Sequence, residues 1–542
     1  MKKYKIIELF AVMLFAMLSC QEQSEMIDEL DFDREFSPLQ IEVETVNHNS
    51  ATISWKAMKG STEHYDLQLF QGDSLTFAGS PAVETNVQYV YEYKFENLLP
   101  EVQYSVRIKT LGDAAEQDSK WHGVAFKTSS EQILTSVKNI KATLATVCWT
   151  PGETATHLLF TATGEADVTV NLTTADVAAG SKTLEKNTLK SDKTWQVSIY
   201  NGIGRRGKLS FKTLYVPSGA NVVSVDAGTD IVTLMGDADN IGKILLLPDG
   251  YESTTGGNKV VTLVGGMTIY GDPDAEVQPK IISERTGGNP AMAPATGTNI
   301  DYLKFFNVEI LCADPTQGVS LFDWNSIVTE SGTLEFDHCY IHDFGRSLLR
   351  LRAGSKPQSV QNLIITDCVF ANMGGTGSNN IFVYTGADAL LKNITISKST
   401  FYDLDLGSSF MQFPGTGANL TQSISISECT FHDVVGSNAT ARYFIESSAT
   451  NVTLDKNIFG KTKDAVSGGA SPMGIKTTGA VTQTGNFKAS EWGTVAGEGT
   501  VNIDGAAAGS FSSLFENAGT GNFTLKSGAP NAAKSAGDPR WR

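Results

Sequence analysis

From Leu303 onward one eleven-residue phrase is written six times, as LKFFNVEILCA, LEFDHCYIHDF, LIITDCVFANM, ITISKSTFYDL, ISISECTFHDV and VTLDKNIFGKT. Aligned on their sixth position, the copies stack Val308, Cys339, Cys368, Ser399, Cys429 and Asn457, with gaps of 31, 29, 31, 30 and 28 residues. Two positions later stand Ile310, Ile341, Phe370, Phe401, Phe431 and Phe459, and three before the anchor stand Phe305, Phe336, Ile365, Ile396, Ile426 and Leu454. Apolar and polar positions alternate with period two, the pattern of strands that bury one face.

A short strand recurring at such a period cannot bury its apolar face alone, so the copies must stack as a solenoid. Four coils show a second strand-like run after the anchor: SLLRLR (347–352), IFVY (381–384), FMQF (410–413) and YFIE (443–446). The turn after the anchor strand begins with Asp343, Asn372, Asp403 and Asp433, residue types that bond their own backbone and tolerate unusual dihedrals. Each coil therefore supplies at least two parallel strands, and a parallel β-helix is predicted. A leucine-rich repeat would need a shorter period and a leucine/asparagine consensus, and neither occurs.

The 542 residues leave room for about three or four domains by the usual size range. The formal net charge of −17 argues against general nucleic-acid binding, which requires a broad basic surface. Lys2, Lys3 and Lys5 precede an apolar stretch from Ile6 to Leu18, closed by Met17-Leu18-Ser19-Cys20. About thirteen apolar residues are too few for a membrane span, which takes roughly twenty. This opening resembles a bacterial lipoprotein signal, 1–19, with Cys20 as the lipidated new N-terminus. Residues 20–36 are acidic without apolar period and read as a tether; acidic residues at this place are similar to the surface-export signal of Bacteroidetes lipoproteins. The resemblance implies an outer-membrane, cell-surface location through the lipid anchor. With Cys20 spent on lipid, five cysteines remain, Cys148, Cys312, Cys339, Cys368 and Cys429. Three share the anchor column, where buried packing thiols are preferred to disulfides; their spacing matches no zinc motif.

Between tether and solenoid lie two mutually similar modules, 37–130 and 131–214. ATISW (51–55), YDLQLF (65–70), LLPEVQYSVRIKT (98–110) and FKT (126–128) correspond to ATVCW (145–149), HLLF (157–160), LKSDKTWQVSIYN (189–201) and FKT (211–213). Leu98 to Tyr104 and Leu189 to Trp195 are both six apart. An early core Trp with this leucine–tyrosine frame resembles fibronectin type III sandwiches, in which the tyrosine ties a corner between strands. Trp195 in the second copy implies that its corner bond is altered or lost. Neither module clusters titratable residues, so both read as spacers, although an exposed aromatic there could touch glycan.

IGKILLLPDGYES (241–253), KVVTLVGGMTIYGD (259–272) and PKII (279–282) resemble the opening coils of pectate-lyase-like β-helices, and LFENAGTGNFTLKSGAPNAAKSAGDPRW (514–541) is similar to their closing coil. The closing GDPRW is also similar to Bacteroidetes lipoproteins that join fibronectin-like modules to such a helix. The expected fold is therefore all-β: two fibronectin III-like sandwiches followed by a right-handed parallel β-helix over 215–542.

Chemistry is expected on the outer face of the solenoid, with loops such as 373–379, 404–409 and 434–441 walling a groove. The densest candidate is DHCYIHDFGRSLLRLR (337–352), which holds Asp337, His338, His342, Asp343, Arg346, Arg350 and Arg352, with Lys356 following. Resemblance to the lyases of this fold implies Arg346 or Arg350 as the base and Ca²⁺ held by Asp337 or Asp343; arginine also grips carboxylates bidentately. His342, Tyr402 and His432 form an outward column suited to sugar contact, with Arg352 and Lys356 as further binding candidates. A solvated, salt-bridged face is the bland alternative for Arg350 and Arg352, and a turn ladder for Asp343. The lyases' arginine motif, with proline between two arginines, does not occur in 346–356. The expected function is thus a surface glycan-binding lipoprotein of a polysaccharide-utilisation system, capturing an acidic, pectin-like plant polysaccharide alongside a glycan-import complex. A polysaccharide lyase is the alternative, and an adhesin or spacer the third class.

Overall fold

The computed structural model describes residues 33–542, apart from 288–289, 326–328, 353, 355–356, 376–380, 408, 436–441, 463–472, 496, 498 and 508–509. The leader, Cys20, most of the tether, Lys356 and parts of the three loops therefore lie outside the described residues. Two compact units are present: residues up to Ile140 with Leu144–Thr213, and Lys141–Thr143 with Leu214–Arg542.

The first unit contains two sandwiches of three and four strands each. In the first, Leu39–Val46, Ala51–Lys56 and Glu92–Phe95 face a sheet ordered Val83–Gln88, His64–Gln71, Gln103–Thr110, His122–Lys127. In the second, Ser181–Thr183, Thr146–Trp149 and Leu134–Lys138 face Val168–Asn171, His157–Thr161, Thr194–Asn201 and Gly204–Lys212. Trp55 and Trp149 are buried in the respective cores. The expected corner is present in the first module, where the Leu99 amide donates to the Tyr104 hydroxyl at 2.8 Å. In the second the bond is altered, as the indole allows: Trp195 Nε1 donates to the Lys190 carbonyl at 3.2 Å. The shared FKT phrase has a job in both copies. Thr128 Oγ1 donates to the Leu99 carbonyl and accepts from the Val102 amide, and Thr213 Oγ1 does the same with Lys190 and Lys193.

The second unit is a β-solenoid of three sheets, with ten, ten and nine strands. The first sheet runs from Val222–Ser224 to Val481–Thr484, the second from Glu252–Thr254 to Ala506–Ala507, and the third from Val261–Leu263 to Thr500–Asn502. Every pairing is parallel except the last of the third sheet, where Met473–Lys476 meets Thr500–Asn502 antiparallel. The columns read from the repeat are the observed register: Phe305, Phe336, Ile365, Ile396, Ile426 and Leu454 are successive partners in the first sheet. In the second sheet the successive partners are Ile310, Ile341, Phe370, Phe401, Phe431 and Phe459. Phe370, Phe401, Phe431 and Phe459 stack at centroid spacings of 5.0, 5.0 and 5.3 Å. Phe382 and Phe410, each just before a strand of the third sheet, and Phe444 within one form a parallel stack that meets the first edge-on. A short helix, Ile231–Gly236, packs Ile231, Leu234 and Met235 into the same core.

The corner between first and second sheets explains the anchor column. The residue before each anchor is left-handed: Asn307, His338, Asp367, Lys398, Glu428 and Lys456 have φ between 49° and 56°. That turn aims the anchor's own amide into the core, where no strand can accept it, so the next coil's anchor side chain does. Cys339 N donates to Cys368 Sγ (3.4 Å), Cys368 N to Ser399 Oγ (3.0 Å), Cys429 N to Asn457 Oδ1 (2.9 Å) and Asn457 N to Asn486 Oδ1 (2.9 Å). The three thiols are free and buried; each donates to a backbone carbonyl, and Cys368 also accepts the Cys339 amide. Asp343, Asn372, Asp403 and Asp433 are likewise left-handed, with φ of 61°, 47°, 52° and 48°.

Candidate functional site

The coil from Leu334 to Arg352 turns through all three sheets, so residues adjacent in sequence are dealt to separate faces. Asp337 ends the first-sheet strand Thr329–Asp337, its carboxylate shared between Lys304 Nζ (2.9 Å) and His338 Nδ1 (2.6 Å). Burial works against the charged forms of both partners, yet their mutual attraction wins: Asp337 is held below the usual carboxylate range and His338 is raised. Asp343 sits at the next corner, bonded to His342 Nδ1 (2.8 Å) and to the Asn372 amide. Asp337 and Asp343 are thus both committed to protein partners, and they stand at different corners of the coil. Neither carboxylate is free for a Ca²⁺ ion in this arrangement, and among the described residues no three His, Cys, Asp or Glu side chains converge as metal ligands.

The residues of the expected sugar column are likewise engaged by other protein groups. His342, Ala371, Tyr402 and His432 do stand in register on the second sheet. The chain from Phe511 onward folds back over that sheet, however. Phe511 stacks on His432 at 4.0 Å, Phe523 packs against both Tyr402 and His432, and Tyr402 joins the buried cluster around Leu514 and Phe515. His432 is only 5% exposed, and burial lowers its imidazole to about 4, so it stays neutral. His342 stacks on Tyr340 and pairs with Glu309 at 3.1 Å. None of the three presents a free face to a sugar. The cover is held by GDPRW: Thr400 Oγ1 donates to Asp538 Oδ2 (2.7 Å), Trp541 Nε1 donates to Thr400 Oγ1 (2.7 Å), and Arg540 Nη2 reaches Asp367 Oδ1 (2.7 Å).

The arginines remain together, on the third sheet. Strand Leu349–Arg352 buries Leu349 and Leu351 and turns Arg350 and Arg352 outward. Both reach Asp323 on the preceding strand, Arg352 as a fork (Nε to Oδ1 and Nη2 to Oδ2, each 2.8 Å) and Arg350 through Nη1 (3.2 Å). The Asp323 side chain is wholly buried beneath them. Arg346 lies close enough that its charge, with that of Arg352, adds to burial in pushing the Arg350 guanidinium down from its ordinary value, against the pull of Asp323. Among the described residues Asp323 is the only carboxylate paired with Arg350 or Arg352, and Arg346 pairs with none.

Sequence reasoning missed what this strand adjoins. Asp323, Arg350, Tyr384, Gln412, Glu446 and Lys476 are successive partners across the third sheet, one per coil. At about 4.8 Å per strand the row spans roughly 24 Å. Arg350 lies over the Tyr384 ring (6.0 Å to the centroid), Gln412 Nε2 donates to Glu446 (2.9 Å), and Lys476 pairs with Glu446 (2.9 Å) beside Tyr443 (5.2 Å). At its far end the row opens on a pocket of about 710 Å³ lined by Gln412, Pro414, Glu446, Ser448, Lys476 and Thr478. The period-two outward position of the four quoted runs was the signal that could have found it.

Residues 36–122 match the fibronectin type III domain family. They form a fibronectin type III domain. Residues 424–541, the last coils and the cover over the second sheet, match a family described as a domain of unknown function, DUF5123. Among solved structures, a two-domain fibronectin type III segment of chicken tenascin is 16% identical, covering 33% of this chain and 99% of its own, with a TM-score of 0.23. The FN5 domain of Drosophila Lar is 20% identical, covering 18% and 98%, with a TM-score of 0.15. No curated protein matches the chain.

Proposed function

We propose that the outward face of the third sheet captures an acidic, pectin-like polysaccharide, and that the chain is a lipid-anchored surface glycan-binding protein of a polysaccharide-utilisation system. The observation that carries this reading is the arginine group: three guanidiniums lie close together with one buried carboxylate, which pairs with Arg350 and Arg352 and leaves Arg346 unpaired, in a protein whose formal charge is −17. Asp323 holds Arg350 and Arg352 in place before a ligand arrives, and the surplus positive charge suits a uronate carboxylate. Tyr384, Gln412 and the pocket beyond offer a stacking face and hydroxyl partners along the same row.

The lyase reading rests on one feature, the downward shift of Arg350, which is the direction a base requires. A single experiment separates the two. The full chain is run on native gels containing polygalacturonate while unsaturated product is followed by ultraviolet absorbance. Binding without catalysis gives retardation that weakens with salt, and no product. Arg346→Gln, which leaves the Asp323 triad intact, weakens retention about tenfold, as loss of a charge-assisted contact does. Product that disappears in Arg350→Gln supports the lyase instead, and unretarded migration on polygalacturonate rejects the acidic-glycan reading.

A further inference from the structure

The first fibronectin module carries an aromatic surface that its own core does not use. Tyr89, Val90 and Tyr91 are 67%, 40% and 45% exposed, in the loop between Val83–Gln88 and Glu92–Phe95. Tyr89 lies in the left-handed region at φ 55°, and Glu63, in the facing loop, lies there at φ 56°. Bulky residues avoid that conformation, and it persists only where the surroundings impose it. The imposing bonds are visible: the Tyr89 amide donates to the Glu63 carbonyl (3.0 Å), and the Tyr91 hydroxyl donates to Glu63 Oε2 (2.6 Å). The Tyr91 carbonyl accepts from the Trp55 amide (2.9 Å), which ties the loop to a core strand. The Tyr89 ring stands edge-on to His64 (5.7 Å), and Gln88 Nε2 donates to His64 Nδ1 (3.2 Å). Two aromatic rings are thus held out to solvent on a braced backbone, with a carboxylate, an amide and an imidazole at their edges.

We propose that this loop pair is a second saccharide site, specific for a neutral glycan. Aromatic faces cover the C–H faces of a pyranose, while Glu63, Gln88 and His64 supply acceptors and donors for its hydroxyls. Local charge selects against a polyuronate: Glu63 and the exposed Glu92 flank the rings, and Lys94 is spent on Glu96 at 2.6 Å. The chemistry is therefore complementary to that of the arginine face, and the site stands whether or not that face binds pectin.

The test is native-gel retardation of the full chain in hydroxyethylcellulose, xyloglucan, galactomannan and mixed-linkage β-glucan, with polygalacturonate as a separate arm. At least one neutral polymer retards the protein. Tyr89→Ala/Tyr91→Ala reduces that retardation at least fivefold, whereas Tyr89→Phe, which keeps the stacking face, retains most of it. Migration in polygalacturonate is unchanged in both variants, and Tyr89→Phe, which keeps the Tyr91–Glu63 bond, keeps the wild-type melting temperature. Full-chain migration unaffected by every neutral polymer overturns the site and leaves a protein partner as the occupant of these rings. Retardation by a neutral polymer that survives the double alanine change overturns it as well.

Discussion

Asp538 is buried against the first corner of the solenoid, and there burial outweighs the Arg540 guanidinium at 3.5 Å and raises its carboxyl to about 6. The sign follows from linkage. Unfolded, the group ionises near pH 4; folded, it keeps its proton to about pH 6, so between the two the native state binds the extra proton. Its contribution to stability is present below the lower value and is lost as pH rises through the upper one. A shift of about two units corresponds to roughly 3 kcal/mol. His338, raised by Asp337 and Asp367 on the same corner, acts in the same sense: its contribution is complete below its ordinary value and lost above the raised one. Thermal melts of the wild type and Asp538→Asn from pH 4 to 7 isolate the aspartate. The wild-type advantage at pH 4 should shrink or reverse by pH 7, and parallel curves would show that Asp538 does not titrate in this interval. None of this was legible from GDPRW, because Thr400, Thr430 and Asp367, which surround it, lie more than a hundred residues away in the chain.

At the scale of the coil, the corner ladder sets which substitutions are tolerated. Asn457 is fully buried, accepts from Cys429 N and donates from Nδ2 to the Ile426 carbonyl (2.9 Å) and Asn486 Oδ1 (3.0 Å). Asn457→Ala leaves a buried amide and a buried carbonyl without partners, at a cost on the order of 3 kcal/mol. Cys368→Ser keeps an acceptor for Cys339 N, as Ser399 already does one coil on, and should cost under about 1 kcal/mol. Urea unfolding of the two variants checks the contrast, and equal losses would mean that the column only fills space. The strands themselves were legible because one buried face imposes period two on every copy, so Ile341 and Phe401 reveal their direction in eleven residues. The anchor's acceptor role was not, since Cys, Ser and Asn look alike as small core residues until the left-handed turn before them is seen to aim an amide inward.

At the scale of the whole chain, the two sandwiches and the solenoid were foreshadowed by the repeated FKT and by the six-fold phrase. The site was not, because a coil of about thirty residues visits three faces, and alternation tells inside from outside without telling which outside. Asp337, Asp343 and Arg350 look like neighbours in DHCYIHDFGRSLLRLR and occupy a strand end, a corner and another sheet. His342, Tyr402 and His432 do share a face, but the chain from Phe511 onward covers Tyr402 and His432, while His342 stacks on Tyr340 and pairs with Glu309. What remains open among the candidates is the arginine row of the third sheet. The most direct test is hydrogen exchange of the full chain with and without polygalacturonate oligosaccharides. Protection should appear in Leu349–Arg352, Val383–Thr385 and Met411–Phe413 and fade in high salt. Protection confined to strands of the first or second sheet, or none at saturating oligosaccharide, would contradict the account.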